Sequence, residues 1–145
     1  MTIDHIGVVV RDLKSAIEQW ETLFGYAQHS DIVENTRQKV RVVFLAKENS
    51  LPVKLLEAIS DDSPVAAFAR RGGGLHHVCF RCENMDSQIS FLQEHGTRVL
   101  VSPEPGEAFN NQPIAFLLAG NLNIELIATT EKKGWSKHSF SEKEL

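Results

Sequence analysis

The 145-residue sequence has no apolar run approaching the roughly 20 residues of a bilayer-spanning helix, and no excess of positive charge. The first absence argues against a membrane span. The second, a net charge of −4, removes the electrostatic case for nucleic acid or an anionic membrane as a partner. The opening Met1-Thr2-Ile3-Asp4-His5 lacks a basic stretch followed by an apolar one, so no secretory signal is read and the expected location is the cytoplasm. Cysteine is scarce. Cys79 and Cys82 form a single C-x-x-C, without the second pair that a structural zinc site would bring. They lie in Val78-Cys79-Phe80-Arg81-Cys82, which reads as a strand, so the thiols should point to opposite faces as core residues. What is present, 42% hydrophobic and 23% charged residues, is the composition of one soluble globular domain.

An internal repeat organises the chain. His5-Ile-Gly-Val-Val-Val-Arg-Asp12-Leu13 lies 72 residues before His77-Val-Cys-Phe-Arg-Cys-Glu-Asn84-Met85. Each stretch runs from a histidine through apolar residues to a helix-capping residue, Asp12 or Asn84. A helix follows in each: Leu13, Ala16, Ile17, Trp20, Leu23 and Phe24 share one face, and Met85, Gln88, Ile89 and Leu92 share the other's. Gly25 and Gly96 stop them. Val42-Val43-Phe44-Leu45 matches Ile114-Ala115-Phe116-Leu117, and Val53-Lys54-Leu55-Leu56 matches Ile124-Glu125-Leu126-Ile127 at an offset of 71. The sequence therefore predicts an α+β fold of two tandem βαβββ modules, residues 1–72 and 73–130. Ser63-Pro64 should open a short linking helix ending before Gly72-Gly73-Gly74, the expected hinge. Residues 131–145 read as a polar, loosely ordered tail, apart from Trp135 and Phe140.

The chemistry-bearing residues fall on the repeat. His5 and His77 are mates, and so are Lys54 and Glu125. Equivalent strands of two related modules, set side by side, would bring all four into one cleft. Two imidazoles and one carboxylate are the ligand set of a divalent metal. An isolated histidine near a strand start is more often structural, but a carboxylate inside Asn123-Ile-Glu125-Leu-Ile127 needs a partner. His76 should face away from His77 and is read as structural.

The stretches Ile3–Gly7, Asp62–Ala66, Gly74–Val78 and Ile124–Ile127 resemble the vicinal oxygen chelate superfamily, which includes glyoxalase I, and within it most resemble methylmalonyl-CoA epimerase. The resemblance implies a cup-shaped, barrel-like mixed sheet and often a homodimer. It implies a divalent ion (Co, Ni, Zn, Mn or Fe) on His5, His77 and Glu125, with a fourth Gln or Glu ligand at the position of Lys54. The implied reaction moves a proton beside a carbonyl, as in a lyase or isomerase acting on a small carbonyl compound or an acyl-coenzyme A. Lys54 and Glu125 are then the candidate catalytic pair, and Arg70 and Arg71 candidate contacts for coenzyme A phosphates. The sequence departs from the family at two places. Lys54 offers an ammonium where a ligand belongs, which repels a dication and predicts a Lys54–Glu125 ion pair. Thr36-Arg37-Gln38-Lys39 is basic where the epimerases carry an acidic candidate base. Two other readings stay open. One is a non-haem iron oxygenase using the 2-His-1-carboxylate triad. The other is a metal-free binding or sequestering protein.

Overall fold

Asp12 and Asn84 do the same work in the two halves of the chain. Each side chain accepts a hydrogen bond from the backbone N–H three residues on, Ser15 or Ser87, and each starts a helix. In the computed structural model, which describes residues 1–135, these helices are the second and ninth of the elements in chain order. The first half comprises β1 (Thr2–Val9), α1 (Leu13–Phe24), β2 (Ala27–Gln28), β3 (Val33–Asn35), β4 (Val40–Ala46) and β5 (Val53–Ala58). After α2 (Ala66–Arg70) come β6 (Gly74–Arg81), α3 (Met85–Glu94), β7 (Arg98–Gly106), a 3-10 turn at Glu107–Phe109, β8 (Gln112–Ala119) and β9 (Leu122–Ile127).

All the strands join one mixed sheet in the order β2-β4-β5-β1-β6-β9-β8-β7, with β3 also on β4. Its two ends do not pair, so the sheet curls into a cup and stays open. Strand alternation divides the core. On the outer face α1 covers Val43, Leu45, Val53 and Leu55, and α3 covers Ala115, Leu117, Ile124 and Leu126. On the inner face Val42, Phe44, Leu56, Phe109, Ile114 and Ile127 pack together. Cys79 belongs to the inner cluster and Cys82 to an outer one, on opposite faces as the strand reading requires.

Three local expectations change. The linking helix starts at Ala66, not at Pro64: Ala66 N–H donates to the Ser63 carbonyl at 3.0 Å, closing a turn in which proline's fixed φ is equally at home. The second strand of the first module is broken into β2 and β3, whereas its counterpart β7 runs unbroken for nine residues. In the gap the Ser30 hydroxyl accepts from the Phe44 N–H at 2.8 Å, taking the place of a ladder bond. The start of the tail is also anchored. Lys132 is buried against Asp4, and Trp135 packs beside His29 at 5.1 Å between ring centroids. Phe140 lies outside the described residues. Among those residues no helix is long and apolar enough to cross a membrane.

Candidate active site

The register of the central strands determines which side chains meet. β1 runs antiparallel to β6, pairing His5 with Cys79 and Gly7 with His77. β1 runs parallel to β5 with Gly7 opposite Lys54, and β6 runs parallel to β9 with Cys79 opposite Glu125. Each pairing in one half reappears in the other at the repeat offset. An approximate two-fold therefore passes between β1 and β6, and it brings both histidines, Lys54 and Glu125 to the floor of the cup.

Two bulges sharpen this arrangement. The β1–β6 ladder slips at Asp4 in one strand and at His76 in the other, positions that are repeat mates. A bulge re-aims consecutive side chains. Asp4 Oδ2 accepts from His5 Nδ1 at 2.7 Å, and the Nδ1 atoms of His76 and His77 lie 2.8 Å apart. This corrects the expectation for His76. Simple alternation would point it away from His77, but the bulge turns it to the same side. Gly7 is the other local requirement, because a Cβ there would run into the His77 ring.

The cluster is dry. His5 and Glu125 are 0% exposed, and Lys54 and His77 are 3% exposed. Glu125 Oε1 lies 3.1 Å from His5 Nε2 and 3.2 Å from His77 Nε2, and Lys54 Nζ donates to both carboxylate oxygens at 3.2 and 3.3 Å. The ion pair expected from the sequence is present. Burial opposes ionisation of Glu125, but Lys54 and the two histidines outweigh it and hold the carboxyl well below the usual range. Burial also pushes His77 down to about 4, so its ring is neutral near pH 7. Around Asp4 stand Arg81 at 2.8 Å and Lys132 at 3.0 Å. Burial opposes its ionisation, while His5 and Lys132 hold its carboxyl below the usual range.

One ligand atom from each of His5, His77 and Glu125 lies within 4.8 Å of the others. The donor set read from the sequence is therefore assembled, and Asp4 orients His5 as carboxylates orient metal-bound histidines. The fourth position does not fit. The oxygens that would bind an ion are already held by the Lys54 ammonium, and among the described buried residues Lys54 and Lys132 already balance Glu125 and Asp4. A dication would add two uncompensated charges to that buried cluster, a costly arrangement. As arranged, the residues do not fit a divalent ion.

A cavity of about 250 Å³ reaches this cluster from the open side of the cup. Val40, Leu56, Leu100 and Phe116 supply much of its apolar wall, and Lys54, His76, Gln38, Asn35 and Asn123 supply its polar groups. His5, His77 and Glu125 are not in the lining; they lie behind Lys54 and His76. Glu125 is thus not placed to exchange a proton with anything in the cavity. Gln38, from the basic segment before β4, donates across to Glu104 at 3.0 Å. Arg70 and Arg71 do not line the cavity, and Arg70 lies in solvent 3.9 Å from Asp61. Sequence reasoning missed Asp4, His76 as a wall residue, Gly7 and Lys132. A signal for the first two was present, since both histidines follow a titratable residue at the same repeat offset.

Known proteins match both sequence and shape. A profile of the Glyoxalase/Bleomycin resistance protein/Dioxygenase superfamily covers residues 4–116. The uncharacterized protein YqjC of Bacillus subtilis is 34% identical over 134 residues, 91% of this chain and 93% of its own. The ethylmalonyl-CoA/methylmalonyl-CoA epimerase of Cereibacter sphaeroides is 30% identical over 123 residues, 83% and 90% of the two chains. Among solved structures, a Streptomyces coelicolor methylmalonyl-CoA epimerase variant in complex with 2-nitronate-propionyl-CoA aligns with a TM-score of 0.78. Its identity is 27%, and the alignment covers 89% of this chain and 97% of that one.

Proposed function

The chain belongs to the Glyoxalase/Bleomycin resistance protein/Dioxygenase superfamily, and on that premise we propose that it is an isomerase moving a proton at the carbon beside an acyl-coenzyme A carbonyl. The observation that carries this reading is the placement of Lys54 and His76 together on the wall of an otherwise largely apolar cavity. A volume of about 250 Å³ suits a short acyl group and leaves the bulk of a coenzyme A outside. The likeness to epimerases of acyl-coenzyme A substrates supports the same substrate class.

The reaction needs a base at the α-carbon. Burial, helped by Lys54, lowers His76 from its ordinary range, so near pH 7 it is a neutral imidazole. Its Nδ1 faces His77, which leaves Nε2 as the nitrogen for proton exchange. In this reading His76 takes the α-proton and returns it to the planar intermediate, inverting the centre when the intermediate turns its other face to the imidazole. Pro64 and Val65 carry the wall towards α2, whose exposed end bears Arg70 and Arg71 for the coenzyme A phosphates.

The test is α-proton exchange. Incubated with methylmalonyl-CoA in deuterated buffer, the protein should give mass-spectrometric deuterium incorporation well above a protein-free control. His76→Ala should slow exchange by about 100-fold or more. No exchange with methylmalonyl-CoA or ethylmalonyl-CoA would overturn the reading.

A further inference from the structure

We infer that Lys54 is the electrophile of this site, an ammonium built into the chain that takes the place of a divalent ion. Three observations converge. Among the described residues Lys54 is the one cationic side chain in the cavity lining, and it stands between the cavity and the His5/His77/Glu125 cluster. Its Nζ is clamped by both oxygens of a fully buried carboxylate and lies 5.2 Å from the Phe109 ring centroid and 5.9 Å from that of Phe44, so its position is fixed without substrate. The buried cations Lys54 and Lys132 already match the carboxylates Glu125 and Asp4 charge for charge without an ion.

A carbonyl oxygen entering the cavity therefore meets an N–H of Lys54 before any ligand of the triad. When the α-C–H proton passes to the base, the bonding pair forms the C=C bond and the carbonyl π pair moves onto oxygen. That developing oxyanion accepts a hydrogen bond from the ammonium in a water-poor site, where such a contact acts strongly. Return of the proton to carbon restores the carbonyl. Glu125 holds the ammonium in place, and His5 and His77 hold Glu125. In this chain two metal-type histidines position a carboxylate.

The inference rests on the isomerase reading for its reaction, and the experiment keeps the two apart. Protein dialysed against chelator, with metal content checked by mass spectrometry, should exchange the α-proton of methylmalonyl-CoA within twofold of the untreated rate. Lys54→Gln should lose about 100-fold or more under the same conditions. In calorimetry with Zn²⁺ or Mn²⁺ alone, Lys54→Gln should bind at least tenfold more tightly than wild type, about 1.4 kcal/mol, and Lys54→Arg should not. Exchange that disappears on chelation and returns with added metal would overturn the assignment. So would equal metal affinity in wild type and Lys54→Gln. If no thioester exchanges with any protein, the isomerase reading fails, and the calorimetry still decides whether Lys54 excludes the ion. If Lys54→Gln does not fold, as judged by its melting curve, the chelated wild type decides the question by itself.

Discussion

His5 and Lys54 in the first half of the sheet stand where His77 and Glu125 stand in the second, and Phe44 pairs with Lys54 as Phe116 pairs with Glu125. Apart from the break between β2 and β3, the strand registers, the β1–β6 bulges and the helix N-caps agree between the halves. The differences lie where side chains meet at the floor of the cup. Lys54 faces Glu125, Asp4 occupies the bulge that His76 occupies, and Gly7 occupies the place of Cys79. A doubled frame guarantees that four side chains converge. Asymmetric substitution within that frame then decides what they can do. Here it has set an ammonium against a carboxylate and left one histidine beside an acid and the other beside a second histidine.

Removing one member of the unlike pair should have the largest effect on stability. Glu125→Ala would leave the Lys54 ammonium buried without its carboxylate and should cost about 3–5 kcal/mol in urea unfolding. Lys54→Met should cost less, because Glu125 keeps His5 and His77 as partners. The reverse order would mean that the two halves do not share the burden as described.

The bulge residues give the next effect. Burial holds His77 at about 4 in the folded chain, against an ordinary value near 6.5 in the unfolded one. Above pH 6.5 neither state carries that proton. Between 6.5 and about 4 only the unfolded chain takes it up, so stability falls as pH falls, by roughly 3 kcal/mol over the window. His76→Asp would give His77 the neighbour that His5 has. A carboxylate there favours the protonated ring and should flatten the decline measured between pH 7 and pH 4.5. An unchanged slope would show that the neighbour is not what separates the two histidines.

The smallest effect concerns the Gly7 and Cys79 mates. Gly7→Ala drives a methyl group into the His77 ring and should cost about 1–3 kcal/mol. Cys79→Ala removes one buried sulfur and should cost about 1 kcal/mol. Thermal unfolding of the two single variants separates these values, and equal costs would mean that His77 readily moves aside.

Much of this was legible before any coordinates. The offsets of 72 and 71 located both helices and their caps, paired His5 with His77, and put Lys54 on the face of Leu56, away from Val53 and Leu55. Those features are local, since a cap is a side chain three residues from its donor and a strand face follows from a period of two. The Lys54–Glu125 pair was also predictable, because a buried ammonium and a buried carboxylate at symmetric positions have few other ways to be satisfied. The bulges at Asp4 and His76 were not legible. A one-residue slip between strands more than 70 residues apart leaves no mark in the alternation of either strand. The order of groups seen from the cavity was not legible either, because its wall draws Gln38, Lys54, His76, Leu100 and Phe116 from five separate segments. Sequence by itself determined which residues meet at the floor of the cup, since repetition in the chain becomes symmetry in the sheet. Only the tertiary structure decided that Lys54 and His76 face the cavity while His5, His77 and Glu125 stand behind them, because depth in a curled sheet depends on bulges and curvature that act between distant strands.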